Sequence, residues 1–317
     1  MNFKYLISTA ALLFGYAPLA LAAESGGLGT RVIESFGSWV AFAIITSSLL
    51  VAYLVNYRAP KIRVVGTLLA ALLCFSMVFW FVGVIGSGIL ENPKANQTPM
   101  DSAKPALLWI QAGIALLAGL LLLMTAYRQS KSAETLKLTP QNQPDHYGMV
   151  SRMIHWTTAI LFISLIPLGI FTSMIPEDAW FRNQYYVLHK TIGVTIFGLL
   201  LFRLFWNKRS KRPELGAALK PTERKWAHRA HIALYVMMIA IPVSGYVMTS
   251  FHGFATYFFA WELPPLWGKS EAYIVWGTFH KYILQYLIYI ILGAHILGAL
   301  KHYFIDKHKD ALKRMVS

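Results

Sequence analysis

The stretch "FHKYILQYLIYIILGAHILG", residues 279–298, determines how the rest of the chain is interpreted. It is apolar and has the length of about 20 residues that a helix needs to cross a bilayer. Yet it carries two imidazoles, His280 and His295, fifteen residues apart. On a helix that rises about 1.5 Å per residue, the two rings lie about 22 Å apart along one axis. Because an ionisable side chain inside a membrane is costly, each histidine predicts a functional site near one membrane face.

The composition predicts an all-α integral membrane protein. Of the 317 residues, 56% are hydrophobic and 14% are charged, whereas soluble domains carry about 25% charged residues. The formal net charge is +15, but basic residues of membrane proteins concentrate in cytoplasmic loops, so we do not expect nucleic-acid binding. A single cysteine, Cys74, excludes internal disulfides, cysteine-ligated iron–sulfur clusters and covalent cofactor attachment through CxxCH.

Seven apolar runs approach the length of a transmembrane span. Ahead of these runs, the chain begins with "MNFKYLISTAALLFGYAPLALAAES". This pattern predicts a signal peptide over residues 1–22, with a retained first span as the alternative. The seven runs that follow lie near 36–57, 64–90, 105–127, 150–174, 185–206, 230–250 and 278–304. The basic connections, such as "NYRAPKIR" and "YRQSKSAETLK", fall on one side if the mature N-terminus is external and the C-terminus is cytoplasmic.

The histidines divide the chain into two parts. All ten lie after residue 145, and the polar stretch 128–146 reads as a cytoplasmic linker. We therefore predict a three-span transmembrane region of unknown role over residues 23–127 and a four-helix, histidine-bearing bundle over residues 147–317.

Four histidines form two pairs when they are placed by depth in the membrane. His155 begins an outward-running span, and His189 begins an inward-running one. The last span runs inward, so His280 lies at the depth of His189 and His295 at the depth of His155. Opposed imidazoles on facing helices are what a six-coordinate haem needs. We therefore predict two stacked haems that cross the membrane, with these four residues as axial ligands.

The remaining histidines receive other interpretations. His228 and His231 open the sixth span at the basic surface, where interfacial histidines are common. His302, seven residues after His295, shares its face of the helix and is the competing ligand, but it lies at the helix end beside Lys301. The others read as loop or tail residues: His146, His252 and His308.

Glycines on the same spans agree with a bulky cofactor. Gly193 lies one turn beyond His189 on the same helical face, where a missing side chain lets a porphyrin lie close to the backbone. Further glycines permit close helix packing in lipid, with or without haem: Gly169, Gly198, Gly245, Gly293 and Gly298.

Residues from about 147 to 317 resemble the bacterial di-haem cytochrome b561 family. The matching stretches are "YGMVSRMIHW", "LHKTIG" followed by "FRLFW", "RPEL", "AHRAHIALYVMMIAIPVSGY" and "HILGALKHYFIDKHKDALKRM". The resemblance implies a four-helix cytochrome of the bacterial inner membrane, with two haem b groups held by His155, His189, His280 and His295, that exchanges electrons with quinone. The family usually spaces its last two ligands fourteen residues apart. The extra residue here turns one ring by about 100° unless a π-bulge absorbs it.

Three functions remain open at this point. The first is a respiratory electron-transfer protein, similar to superoxide:quinone oxidoreductases, that links an external donor to membrane quinone. The second is a cytochrome b subunit that anchors a periplasmic dehydrogenase, such as a hydrogenase or formate dehydrogenase, and has no substrate site of its own. The third is a histidine-lined metal transporter, which would need ligands that converge at one midplane site. Lys190 and Lys281, each next to an outer ligand, could pair with haem propionates, attract an anionic donor or reach the interface.

Overall fold

The computed structural model describes residues 28–86, 104–131, 139–179, 181–213, 220–307 and 314–315. The predicted signal peptide, the middle of the predicted linker and His308 lie outside the described residues. In chain order, the helices are α1 (Leu28–Val55), α2 (Pro60–Gly86), α3 (Lys104–Ser130), α4 (Met149–Met174), α5 (Arg182–Arg209), α6 (Pro221–Phe251), α7 (Ala272–Thr278), a π-helix (Phe279–Ile283) and α8 (Leu284–Phe304). Two short strands, β1 (Thr256–Phe258) and β2 (Trp261–Leu263), lie between α6 and α7.

Seven helical segments of the described chain are long and apolar enough to cross a membrane, as the sequence predicts. The first six are α1 to α6, and the seventh is the continuous run Ala272–Phe304. Their surfaces carry large apolar side chains, among them Phe79, which is 83% exposed. Such side chains suit helices that face lipid rather than water. The protein is therefore an integral membrane protein with an all-α transmembrane part.

The sixth helix begins nine residues earlier than its apolar run, at Pro221 instead of near residue 230. Proline at the first helical position is favourable because its missing N–H would have no helical partner there. The Glu223 carboxylate also accepts the backbone N–H of Lys220 at 3.2 Å and so caps the first turn. The polar sequence before the apolar run is thus a helical extension beyond the predicted span.

Helices α4, α5, α6 and the seventh span form the predicted four-helix bundle. On α5, Leu188, Ile192, Ile196 and Leu200 recur every four residues and are buried. This spacing keeps them on one helical face, so they build a continuous apolar stripe. The stripe belongs to a core that also contains Leu161, Leu165, Met237, Met238, Leu284 and Ile288 from the other helices.

The N-terminal helices pack on the outside of this bundle. Helix α1 lies against α4 and α5, and α2 and α3 form a closely packed pair. Phe81 of α2 and Leu108 of α3, both fully buried, share a second apolar cluster with Ile170 and Met174 of α4. Helices α2 and α3 are therefore attached to the bundle by a core of their own, whereas α1 joins the bundle core through Ala41.

A β-hairpin, which was not predicted from the sequence, lies beside the first part of α5. Its strands pair antiparallel, with Thr256 opposite Leu263. The hydroxyl oxygen of Thr191 accepts the backbone N–H of Phe259 at 3.0 Å, and the Lys190 amine donates to the Ala255 carbonyl at 2.7 Å. We call the end of the bundle where α5 begins and α6 ends the hairpin end, and the other end the opposite end.

Candidate cofactor site

A large cavity lies inside the hairpin end of the bundle and is bounded by two facing imidazoles. His189 of α5 and His280 of the π-helix both line it, and their ring centroids are 6.2 Å apart. The cavity has a volume of about 670 Å³, which is in the range of about 300–1,000 Å³ that small-molecule and cofactor sites occupy. It is therefore large enough for a bound prosthetic group.

The distance between these rings fits two ligands of one metal. Because an imidazole nitrogen binds a first-row metal at about 2 Å, two imidazoles on opposite sides of a metal have ring centres about 6 Å apart. His155 and His295, at the opposite end, have ring centroids 6.5 Å apart. Both predicted pairs thus have the separation that a bis-imidazole haem requires.

The π-helix accounts for the fifteen-residue spacing of His280 and His295. The Leu284 N–H bonds to the Phe279 carbonyl, five residues earlier rather than four. A π-turn of this kind holds one extra residue without changing the register of the helix on either side. The extra residue noted in the sequence is therefore absorbed next to His280, and this ring faces His189 instead of being turned away.

The orientation of the His280 ring is fixed by helix α6. Its Nδ1 lies 3.0 Å from the Ile241 carbonyl oxygen and 3.1 Å from the Ser244 hydroxyl. Since a carbonyl can only accept, Nδ1 carries the hydrogen, and Nε2 keeps the lone pair that a metal needs. In contrast, the Nδ1 atoms of His155 and His189 are buried without a hydrogen-bond partner in the described part of the chain.

Two glycines make room for the rings of the hairpin-end pair. A Cβ atom at Gly169 would lie 2.9 Å from Cε1 of His189, and one at Gly245 would lie 2.8 Å from Cε1 of His280. Close helix packing is the role predicted for these glycines from the sequence, but their neighbours are imidazole rings. Gly193 lines the cavity, and a Cβ atom built there would meet no other atom within 4 Å. A porphyrin could therefore lie close to the backbone at this position, as the sequence predicts.

Basic side chains dominate the charged lining of this cavity. Among the described residues, Lys104, Arg182, Lys190 and Lys281 line it, against one carboxylate, that of Glu177. Such a surface favours anionic groups, whether they belong to a cofactor or to a small donor. The sequence singled out Lys190 and Lys281, but it gave no reason to expect Lys104, which comes from the N-terminal part.

At the opposite end, a third imidazole lies beside the predicted pair. The ring centroid of His231, from α6, is 5.2 Å from that of His295. His231 is predicted from the sequence to be an interfacial residue, so its contact with His295 is unexpected. Its separation is shorter than the roughly 6 Å of two imidazoles across a metal. The His155–His295 pair therefore fits two ligands of one metal better than the His231–His295 pair does.

The competing residue His302 has a different partner. Its Nδ1 lies 2.8 Å from a carboxylate oxygen of Asp306, which also accepts from the Lys301 amine at 2.7 Å. The Lys301 ammonium and the His302 ring together lower the pKa of Asp306. His302 thus belongs to a surface ion-pair cluster. Elsewhere, His228 is exposed, His146 pairs with Asp145 and the His252 ring lies over Tyr273.

A transmembrane helical bundle with opposed histidines in its interior is the arrangement of a membrane cytochrome. Residues 146–317, just over half of the chain, match the family model of the prokaryotic cytochrome b561, and the chain belongs to this family. The predicted resemblance is thereby confirmed. The protein is accordingly a membrane electron-transfer protein of a haem b family.

Its relatives match the C-terminal part. The chain is 31% identical over 177 residues to cytochrome b561 homolog 2 of Escherichia coli (strain K12), with 55% of this chain and 93% of that protein aligned. It is 25% identical over 174 residues to the probable superoxide oxidase CybB of Yersinia pestis, covering 53% and 95%. Cytochrome b561 homolog 1 of E. coli is 25% identical over 169 residues, covering 51% and 92%.

Proposed function

We propose that this protein transfers electrons between an external donor and the membrane quinone pool through two haem b groups. His189 and His280 would hold the outer haem, and His155 and His295 the inner one. The observation that carries the proposal is the presence of two imidazole pairs at opposite ends of one bundle, with ring separations of 6.2 and 6.5 Å. Haem b, when bound, supplies reversible one-electron chemistry.

The side chains around the outer site support binding and orientation of this group. The Ile241 carbonyl fixes the ring of His280, so that its coordinating nitrogen points in one direction before the cofactor binds. The β-hairpin is tied to α5 through Lys190 and Thr191 and lines the cavity with Ala255 and Tyr257. It would exclude part of the surrounding water from the site.

Superoxide is the donor that we favour. The basic lining of the outer cavity suits an anion, and one relative is a probable superoxide oxidase. In the balanced reaction, two superoxide ions each lose one electron and become O₂. One quinone takes up these two electrons and two protons and becomes quinol. The protein would then act as a quinone-linked oxidoreductase.

The orientation is part of the proposal. With the hairpin end periplasmic, the connection between α1 and α2 and the basic segment that precedes α6 both face the cytoplasm, in agreement with the bias of lysine and arginine toward that side. The mature N-terminus is then periplasmic and the C-terminus cytoplasmic in a bacterial inner membrane. A reporter fused after Ser317 should be active only in its cytoplasmic form, and periplasmic activity would overturn this orientation.

The second candidate is the anchor subunit of a periplasmic dehydrogenase. It is favoured by one observation, namely that the family match begins at residue 146 and leaves out three membrane helices, whose exposed apolar side chains, such as Phe79 and Ile114, could contact another subunit. The purified chain would then carry haem but would not reduce quinone with superoxide. Quinone reduction by the isolated chain with superoxide would decide for the first candidate.

Single replacements of the four histidines test the haem assignment. His189→Ala and His280→Ala should each remove the outer haem and leave about one haem per chain, because each variant lacks one of the two residues that would hold it. His155→Ala and His295→Ala should do the same to the inner haem. The measurements are haem-to-protein ratios and oxidised-minus-reduced spectra, and His302→Ala is the control that should keep both haems.

The pairing would be wrong if His189→Ala and His280→Ala depleted spectrally different haems. It would also be wrong if His302→Ala, rather than His295→Ala, matched His155→Ala. A wild-type chain that contains no haem after purification with added haem would overturn the whole proposal.

A further inference from the structure

One side chain of the N-terminal region reaches the large cavity. Lys104 is the first residue of α3 and is only 6% exposed. It lines the cavity together with His189 and His280. It also lies outside residues 146–317, the part that matches the family. The cavity of this protein is therefore not built from the family bundle alone.

Hydrogen bonds hold the Lys104 amine in its position. Its Nζ donates to the Ser173 hydroxyl at 3.0 Å, and this hydroxyl donates in turn to the Ile170 carbonyl at 2.7 Å. Nζ also lies 5.9 Å from the ring centroid of Tyr282, two residues after His280. The cation is thus connected both to the end of α4 and to the π-helix that carries His280.

The helix behind Lys104 is itself fixed to the bundle. Leu108 and Ala112, one and two turns further along α3, are buried against Ile170 and Phe171 of α4. The Gln111 side-chain amide donates a hydrogen bond to the Tyr289 hydroxyl of α8. These contacts join α3 to the two helices that border the cavity on this side, so the start of α3 has a defined position at its wall.

We propose that Lys104 is a positioning residue through which the N-terminal region completes the outer haem site and raises the reduction potential of that haem. This inference rests on the proposed function and adds a role for residues 23–127. A cation in a medium of low dielectric constant stabilises whichever state carries more negative charge. Reduction adds one electron to the site, so a nearby cation raises its reduction potential. Lys104 therefore favours the reduced outer haem and attracts anionic propionates.

Replacement of the charge in the full-length protein tests this inference. Lys104→Met keeps the length of the side chain and removes its charge, so it should lower the midpoint potential of the outer haem and leave the inner one unchanged. Lys104→Arg should restore most of the wild-type value. The matched control is Lys61→Met, which removes an exposed lysine from the first turn of α2. Potentiometric titration followed by visible spectra gives both potentials, with His189→Ala as the reference that lacks the outer haem.

The outcomes separate this inference from the proposed function. Absence of two haems from the wild-type protein would refute the proposed function. Two haems whose potentials do not respond to Lys104→Met, or respond equally to Lys61→Met, would refute the role of Lys104 alone. If Lys104→Met fails to assemble, Lys104→Gln removes the charge and keeps a hydrogen-bonding end on the side chain. A lowering of only the outer potential then supports the role, and no change overturns it.

Discussion

At the scale of single residues, each histidine of the hairpin-end pair packs against a glycine of a neighbouring helix. Gly169 of α4 lies against the ring of His189, and Gly245 of α6 lies against the ring of His280. Any larger residue at either position would occupy the volume of the imidazole. Because the ring orientation sets where a metal can bind, these glycines act on the site through the histidines that they contact.

We expect Gly245→Ala to weaken the outer site. Its new methyl group would lie within 2.8 Å of the His280 ring, and overpacking of this kind costs about 1–3 kcal/mol. The expected result is a lower outer-haem content or a faster loss of that haem, measured by haem transfer to an apoglobin acceptor. Gly113→Ala is the control, because a Cβ there meets nothing within 4 Å. Equal haem loss in both variants would contradict the steric argument.

The third imidazole of the opposite end gives a second prediction at this scale. We expect His231→Ala to keep both haems and to shift only the spectrum or potential of the inner one, because its 5.2 Å separation from His295 is too short for an axial partner. His155→Ala, in contrast, should remove the inner haem. Haem-to-protein ratios measured on both variants test this prediction. If His231→Ala loses a haem and His155→Ala does not, His231 rather than His155 is the ligand that pairs with His295.

At the scale of secondary structure, the π-helix shows how much of the site a sequence can predict. A spacing of fifteen residues requires either a rotated ring or a π-bulge, and the structure contains the π-helix at Phe279–Ile283. The seven spans were predictable from apolar runs. The β-hairpin was not, because three-residue strands that are held by side chains of α5 leave no periodic signal of their own.

Removal of one residue from the π-helix should be tolerated. We expect deletion of Ile283, whose side chain is 45% exposed, to convert this turn to α-helix and keep both haems with a spacing of fourteen. Insertion of one alanine after Leu287, in the regular part of α8, should instead rotate His280 relative to His295 by about 100°. It should cost one haem per chain in the same assay. Loss of haem in the deletion variant would show that the π-turn itself is required.

At the scale of the whole molecule, the contact between the N-terminal helices and the C-terminal bundle could not be predicted from the sequence. Lys104 begins an apolar helix with no distinguishing motif, and its place in the cavity wall depends on how α3 docks on α4. Likewise, the nearness of His231 to His295 depends on the rotation of α6 in the bundle. Hydrophobic periodicity predicts which face of each helix is buried, but it does not predict which helix packs against that face.

A chain that begins near Asp145 should still bind two haems. The C-terminal part of this chain aligns with more than nine-tenths of the length of two relatives. The bundle therefore has the extent of a complete family member. Its outer haem should show the lower potential expected of Lys104→Met, since the same cation is absent. A stably inserted truncated bundle that binds no haem would contradict the division of the chain into two parts.

The last transmembrane segment has one further consequence, which concerns the order of biosynthesis. Under the proposed pairing, it supplies one ligand to each site through His280 and His295, whereas His155 and His189 emerge from the ribosome much earlier. A nascent chain halted after α6 would therefore hold two single imidazoles, each without its counterpart. Haem loading must wait until translation is almost complete, so cells starved of haem should accumulate a full-length, inserted apoprotein instead of half-loaded fragments.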